Sequence, residues 1–139
     1  MAMTVPGPAL AGPFTSSAAD LDGKEGYAAK ISGAAGSEVV TLAVVADAND
    51  IEIGVGVITS VAGVFADGTQ TATVQFGGVA YGLTGDAVAG GVPVAPNGLG
   101  EWITAANPNY AAGFALQGGG NATLIQVQLI GVSGVLIPS

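Results

Sequence analysis

The chain has no cysteine, no histidine and no arginine. Without cysteine there is no disulfide, no thiolate metal ligand and no thiol nucleophile. Without histidine the serine–histidine triads, most zinc sites and the commonest general base are excluded. Two lysines, Lys24 and Lys30, face ten acids, for a formal net charge of −8. A chain so poor in cations has almost nothing with which to displace counterions from a phosphate backbone, and anionic lipid repels it. Neither nucleic acid nor membrane is expected as a partner. Long apolar runs are missing too. The longest aliphatic stretch, Val39 to Ala46, falls far short of the ~20 residues that a spanning helix needs. The opening "MAMTVPGPALAGPFTSS" has no basic n-region and no long apolar h-region, so it does not read as a secretory signal. Ser-x-x-Lys and Gly-x-Ser-x-Gly do not occur, which removes two further nucleophile motifs.

What is present is apolar and punctuated. Half of the 139 residues are hydrophobic and 9% are charged, the reverse of a disordered chain. The length suits one domain, and a chain of this size buries roughly 70% of its unfolded surface. With 24 glycines and 7 prolines, the composition predicts a folded domain rich in turns. Residues 1–19 read as a flexible arm, and residues 20–139 as a single β domain. In the arm, Pro6, Pro8 and Pro13 remove backbone donors and fix φ, while Gly7 and Gly12 loosen the bonds between them. The arm also carries Val5, Leu10 and Phe14, apolar groups that a pure spacer does not need.

Beyond the arm, short runs of β character alternate with turn signals. "YAAKI" (27–31), "EVVTLAV" (38–44), "IEIGVGVIT" (51–59) and "TATVQF" (71–76) come first. "VPV" (92–94), "EWIT" (101–104), "YAAGFAL" (110–116) and "TLIQVQLIG" (123–131) follow. In the last of these Ile125, Val127 and Leu129 share one face, and Gln126 and Gln128 share the other. The pattern predicts an all-β fold, a compact small β-barrel or β-sandwich of short strands with Gly-rich turns and an extended N-terminal arm. "FGGVAYGLTGDAVAGGVPV" (76–94) holds six glycines. It lacks the strand–loop–long helix context of a nucleotide fingerprint, so its glycines read as strand ends, turns and close approaches. "LTGDAVAGG" (83–91) predicts at most one helical turn, capped by Thr84 or Asp86.

Candidate chemistry is sparse. Carboxylate pairs are the surviving catalytic option, but a glycosidase needs two acids at a set separation in an aromatic groove. Nothing in the spacing of the ten acids singles out a pair, and no enzymatic activity or cofactor is expected. "DANDIE" (47–52) groups Asp47, Asn49, Asp50 and Glu52, oxygen donors of the kind calcium takes. The glycine at the sixth position of a calcium loop and its distal Glu are absent, so a solvated turn is expected and no metal. "NAT" (121–123) fits a glycosylation acceptor, a short pattern that arises often by chance. Trp102, the single tryptophan, reads as a core residue or, alternatively, as a subunit-interface anchor. Leu136 and Ile137 in the apolar tail "VSGVLIPS" (132–139) read either as intrachain packing or as a second part of a subunit interface.

The stretches "TSSAADLDGKEGYAAKISG" (15–33), "ANDIEIGVGVITS" (48–60), "TVQFGGVAYGLTGDAVAGGVPVAPNGLG" (73–100) and "AGFALQGGGNATLIQVQLIG" (112–131) form a recognisable series. An apolar "piGv" element precedes a hairpin, a Gly-Gly-x-x strand leads to an A-x-x-x-G-x-x-V turn, and G-x-A-L…G…V-x-L closes the domain. Over roughly residues 15–131 the chain resembles the small capsid cement, or head decoration, proteins of tailed bacteriophages. The Pro-rich lead and the apolar tail depart from that pattern. The resemblance implies a noncatalytic protein on the outer capsid surface of the virion, bridging neighbouring subunits of the major capsid protein. It also implies a homo-oligomer, most often a trimer, with an N-terminal arm that becomes ordered on the shell. Val5, Pro6, Pro8, Leu10, Pro13 and Phe14 are then the expected capsid contacts. The rival expectation is a carbohydrate-binding or adhesin-like β module with Trp102 or a tyrosine as its sugar platform.

Overall fold

The computed structural model describes residues 10–15, 21, 23–32, 35, 39–43, 55–64, 70–105, 110–130 and 135–136. Twelve strands and no helix lie among them. They are β1 (Leu10–Thr15), β2 (Ala28–Ser32), β3 (Val39–Leu42), β4 (Gly56–Val64), β5 (Gln70–Gln75), β6 (Val79–Leu83), β7 (Pro93–Pro96), β8 (Trp102–Thr104), β9 (Tyr110–Ala111), β10 (Gly113–Ala115), β11 (Leu124–Leu129) and β12 (Val135–Leu136). The first sheet runs β1-β5-β4-β2-β3, the second β6-β11-β10-β7-β8, and β12 and β9 form a ribbon. Every strand pair is antiparallel. The all-β expectation holds. Of its two forms, the structure has two packed sheets and not a closed barrel.

Both sheets curl. In the first, the end strands β1 and β3 come within 8 Å of each other (Cα–Cα) without forming a ladder. In the second, a parallel bridge from Thr84 to Trp102 ties the end of β6 to β8. Burial explains the alanines of β2. Ala28 packs with Val55, Val57, Val94, Trp102, Ile125 and Val127 between the sheets. Its neighbour Ala29 packs with Leu21, Val40, Ile58, Ala72 and Val74 inside the first sheet's own curl. Successive strand residues point to opposite faces, so β2 and the paired part of β4 are buried on both sides, and Ala28 has no space for a larger side chain without displacing a layer. A third, small cluster of Ala95, Ala105, Ala111 and Ile130 lies where β9 passes over β7.

Four sequence expectations change here. The turn expected after residue 59 is instead strand, because β4 runs on to Val64 with two register shifts along β5. Gln75, which the alternation of "TATVQF" (71–76) sets opposite Ala72 and Val74 with the polar Thr71 and Thr73, is buried, and its Nε2 donates to the carbonyls of Gly77 and Val79 at 2.8 Å each. The single helical turn over 83–91 is absent. Thr84 spends its hydroxyl on the 120–123 turn, Asp86 accepts only from the adjacent Ala87 N–H, and Val88 forms an antiparallel bridge to Gly119. Finally, the glycines of 76–94 read in sequence as strand ends, turns and close approaches, but Gly82 lies inside a strand, β6. Its Gly82 leaves room for the Trp102 ring.

Candidate binding face

Among the described residues, those expected to bind partners stand in three different strands, β1, β8 and β12. Val5, Pro6, Pro8 and Ile137 lie outside the described residues, as does the acidic stretch 47–52. Leu10, Pro13 and Phe14 belong to β1, whose backbone pairs with β5 (Leu10↔Gln75, Phe14↔Ala72), so this part of the expected arm is a sheet edge. Pro13 falls at the register shift between Ala11 and Phe14, where a missing N–H interrupts no ladder. Trp102 is fully buried in the core between the sheets. Burial inside its own chain removes it both as a subunit anchor and as a sugar platform. Leu136 lies in β12, with its backbone paired to Tyr110 of β9.

The described surface gathers its apolar residues elsewhere. Val79, Tyr81, Leu99, Phe114, Leu116 and Leu124 are its large exposed hydrophobics; four of these six stand on the outer face of β6, β11 and β10, and Leu116 directly follows β10. Register places them in rows. Val79 faces Gln128, which faces Phe114. Tyr81 faces Gln126, and Leu116 donates its N–H to the Gln126 carbonyl. Leu83 faces Leu124. On the opposite face of the same strands Ala80, Ile125, Val127 and Ala115 are buried. The result is a central strand with two glutamines, flanked on each side by exposed apolar or aromatic groups. No charged side chain stands in these rows. β9 lies against β7, where Ala111 and Ala95 share a small buried cluster.

Beside the face lies a cleft of about 220 Å³, lined by Glu25, Gly26, Ile58, Thr59, Gln75, Tyr81 and Leu124. Gly26 joins it to β6, accepting from Leu83 N at 2.9 Å and donating to Ile58 O at 2.8 Å. Glu25 brings one exposed carboxylate to the rim. Next to it, the Lys24 ammonium sits 4.5 Å from the centre of the Tyr27 ring, a cation–π contact. Among the described residues no three acidic side chains group closely enough to hold a metal. Chemically, the arrangement offers an exposed apolar platform for contact.

Comparison with protein-family models, with curated proteins and with solved structures gives no match. The face has a sequence signature that the alternation reading passed over. "VAYGL" and "GFAL" are apolar at both parities of the strand, and a strand apolar on both sides has two surfaces to cover. The intervening glycines hid this by making 77–91 look like loop.

Proposed function

We propose that this chain is a noncatalytic capsid decoration protein. It binds the outer surface of a tailed-phage head and stabilises it by bridging subunits of the major capsid protein. The observation that carries this reading is the uncharged apolar face of β6, β11 and β10, which we read as a surface for contact between protein subunits. The motif resemblance of residues 15–131 supplies the kind of partner. The edge position of β1 supports the arm's role, since an edge strand leads the first residues toward a neighbour whose sheet it can extend. Low charge and short side chains suit such a contact, because little rotamer entropy is lost on packing. The test is co-sedimentation of the full chain with heads that lack this protein, followed by heat challenge. Saturable binding that raises the temperature of head rupture supports the proposal, and absence of binding sinks it.

One observation favours a second reading. Tyr81 is 57% exposed beside a cleft that also presents Glu25 and Thr59, an aromatic plane next to polar groups as a sugar ring requires. In that reading Tyr81, not Trp102, is the platform. Glycan-array binding that disappears in Tyr81→Ala would favour it over cement.

A further inference from the structure

We infer that the outer face of β6, β11 and β10 pairs with the same face of a second copy about a two-fold axis running along β11. The inference rests on reading this face as a protein-binding surface and names its occupant. Three observations point to a second copy. First, the face is without charge in a chain of net charge −8, so it selects a partner surface that is also uncharged. Two copies meeting through this face bring no carboxylates of the rows together.

Second, the glutamines decide between an apolar and an amide-bearing partner. Gln128 has committed its Nε2, which donates to the carbonyls of Gly78 (3.2 Å) and Leu129 (3.3 Å). The Gln126 side chain makes no hydrogen bond within the chain among the described residues, yet it is only partly exposed, at the centre of the patch. Covered by a purely apolar surface, that amide would lose its water and gain nothing. A primary amide carries both donors and an acceptor, so it is complementary to itself. An axis passing beside Gln126 sets the two Gln126 amides side by side, each donating to the other.

Third, the rows are arranged for such an axis. Rotation about β11 exchanges the β6 side with the β10 side. Tyr81 then meets the partner's Leu116, and Val79 meets the partner's Phe114, an aromatic residue against an aliphatic one in both cases. Each contact occurs twice, as an isologous interface requires. The area is modest, three strands wide, which fits a reversible dimer more than a permanent one.

The full chain is tested by sedimentation equilibrium across a hundredfold concentration range, in low and in high salt. A monomer–dimer equilibrium is expected, equal or tighter in high salt, because repulsion between acidic chains is screened and no ion pair is lost. Gln126→Glu puts two carboxylates on the axis and should weaken association at least tenfold. Gln126→Lys should weaken it likewise, and mixing the two variants should restore it as a heterodimer. Tyr81→Ser, on the rim of the rows, should weaken it with an unchanged circular dichroism spectrum. A monomer at every concentration overturns the inference, and so does an oligomer, trimer included, that Gln126→Glu leaves intact. Wild-type chain that stays monomeric while Gln126→Glu loses head binding also overturns it, and assigns the face to the coat protein. None of the mass measurements involves heads, so their failure is distinct from a failure of the capsid reading.

Discussion

Gly82 and Trp102 are in edge-to-backbone contact: a methyl group at position 82 would stand 2.7 Å from the indole Cδ1 and 3.0 Å from Nε1. The ring lies against the β6 backbone, and the parallel bridge from Thr84 to Trp102 and the Gly85 N–H bond to Trp102 O (2.8 Å) hold it there. This contact draws the two end strands of the second sheet, β6 and β8, toward each other. It also leaves Nε1 buried with no hydrogen-bond partner.

Gly82→Ala therefore cannot be absorbed by a small shift, since the far side of the ring is packed core. It should cost ~1–3 kcal/mol, the range for overpacking. Trp102→Ala should cost ~3–5 kcal/mol by emptying the core between the sheets. Trp102→Phe should cost clearly less, because it also deletes an N–H whose desolvation nothing offsets. Urea unfolding followed by circular dichroism orders the three, and a Trp102→Phe loss equal to that of Trp102→Ala would contradict this account.

Thr84 is a second keystone. Its buried Oγ1 donates to Gly120 O at 2.6 Å and accepts from Thr123 N at 2.9 Å, while its backbone pairs with Ala122 and Thr123. The turn it fixes includes Ala122 at φ 56, a left-handed conformation that needs such support. Thr84→Val keeps the shape and removes both part-buried side-chain bonds, at a cost of ~1–3 kcal/mol. Thr84→Ser keeps the bonds and should lose under ~1 kcal/mol, the worth of one buried methyl. Equal losses for Val and Ser would mean that packing, not hydrogen bonding, holds the turn.

Asn97 organises the hairpin between β7 and β8. Its Oδ1 accepts from Leu99 N (2.8 Å) and Glu101 N (3.0 Å), and its Nδ2 donates to Glu101 Oε1 (3.2 Å). Asn97→Ala frees two N–H groups in a half-exposed loop where water can replace the lost partner. A loss of ~1 kcal/mol follows, read as a lowered midpoint of thermal unfolding. Asn97→Asp keeps the acceptor but sets a carboxylate against Glu101, so near neutral pH it should be less stable than wild type.

How far the sequence reaches depends on how many layers a strand serves. β11 is buried on one face, and its alternation of Ile125, Val127 and Leu129 with Gln126 and Gln128 is legible directly. β5 is legible as far as Val74, beyond which Gln75 turns inward to satisfy carbonyls of the next turn, a use that no periodicity announces. β2 reads weakly because two layers compress it to alanines. By residue alternation alone β6 is missed, because Gly82, its packing residue, resembles loop punctuation. The candidate face escapes for the same reason, being split between β6 and β10, which only the fold sets on either side of β11.

The N-terminal segment gives the test most directly tied to capsid binding. Removal of residues 2–14 as a unit would confuse two effects, because Leu10 to Thr15 are a strand of the first sheet and cover one edge of β5. Removal of residues 2–9 alone touches none of the described ladders. The shorter deletion should unfold at the wild-type temperature and still lose binding to heads at ordinary concentration, as an arm contact requires. The longer deletion should lose the same binding and, in addition, lower the unfolding midpoint by several degrees, since β5 then exposes a ladder that β1 had satisfied. Calorimetry and head co-sedimentation on the same two proteins separate the effects. If the 2–9 deletion binds as tightly as the full chain, Val5, Pro6 and Pro8 are not contacts, and the capsid-binding surface must be sought on β1 itself or on the face of β6, β11 and β10.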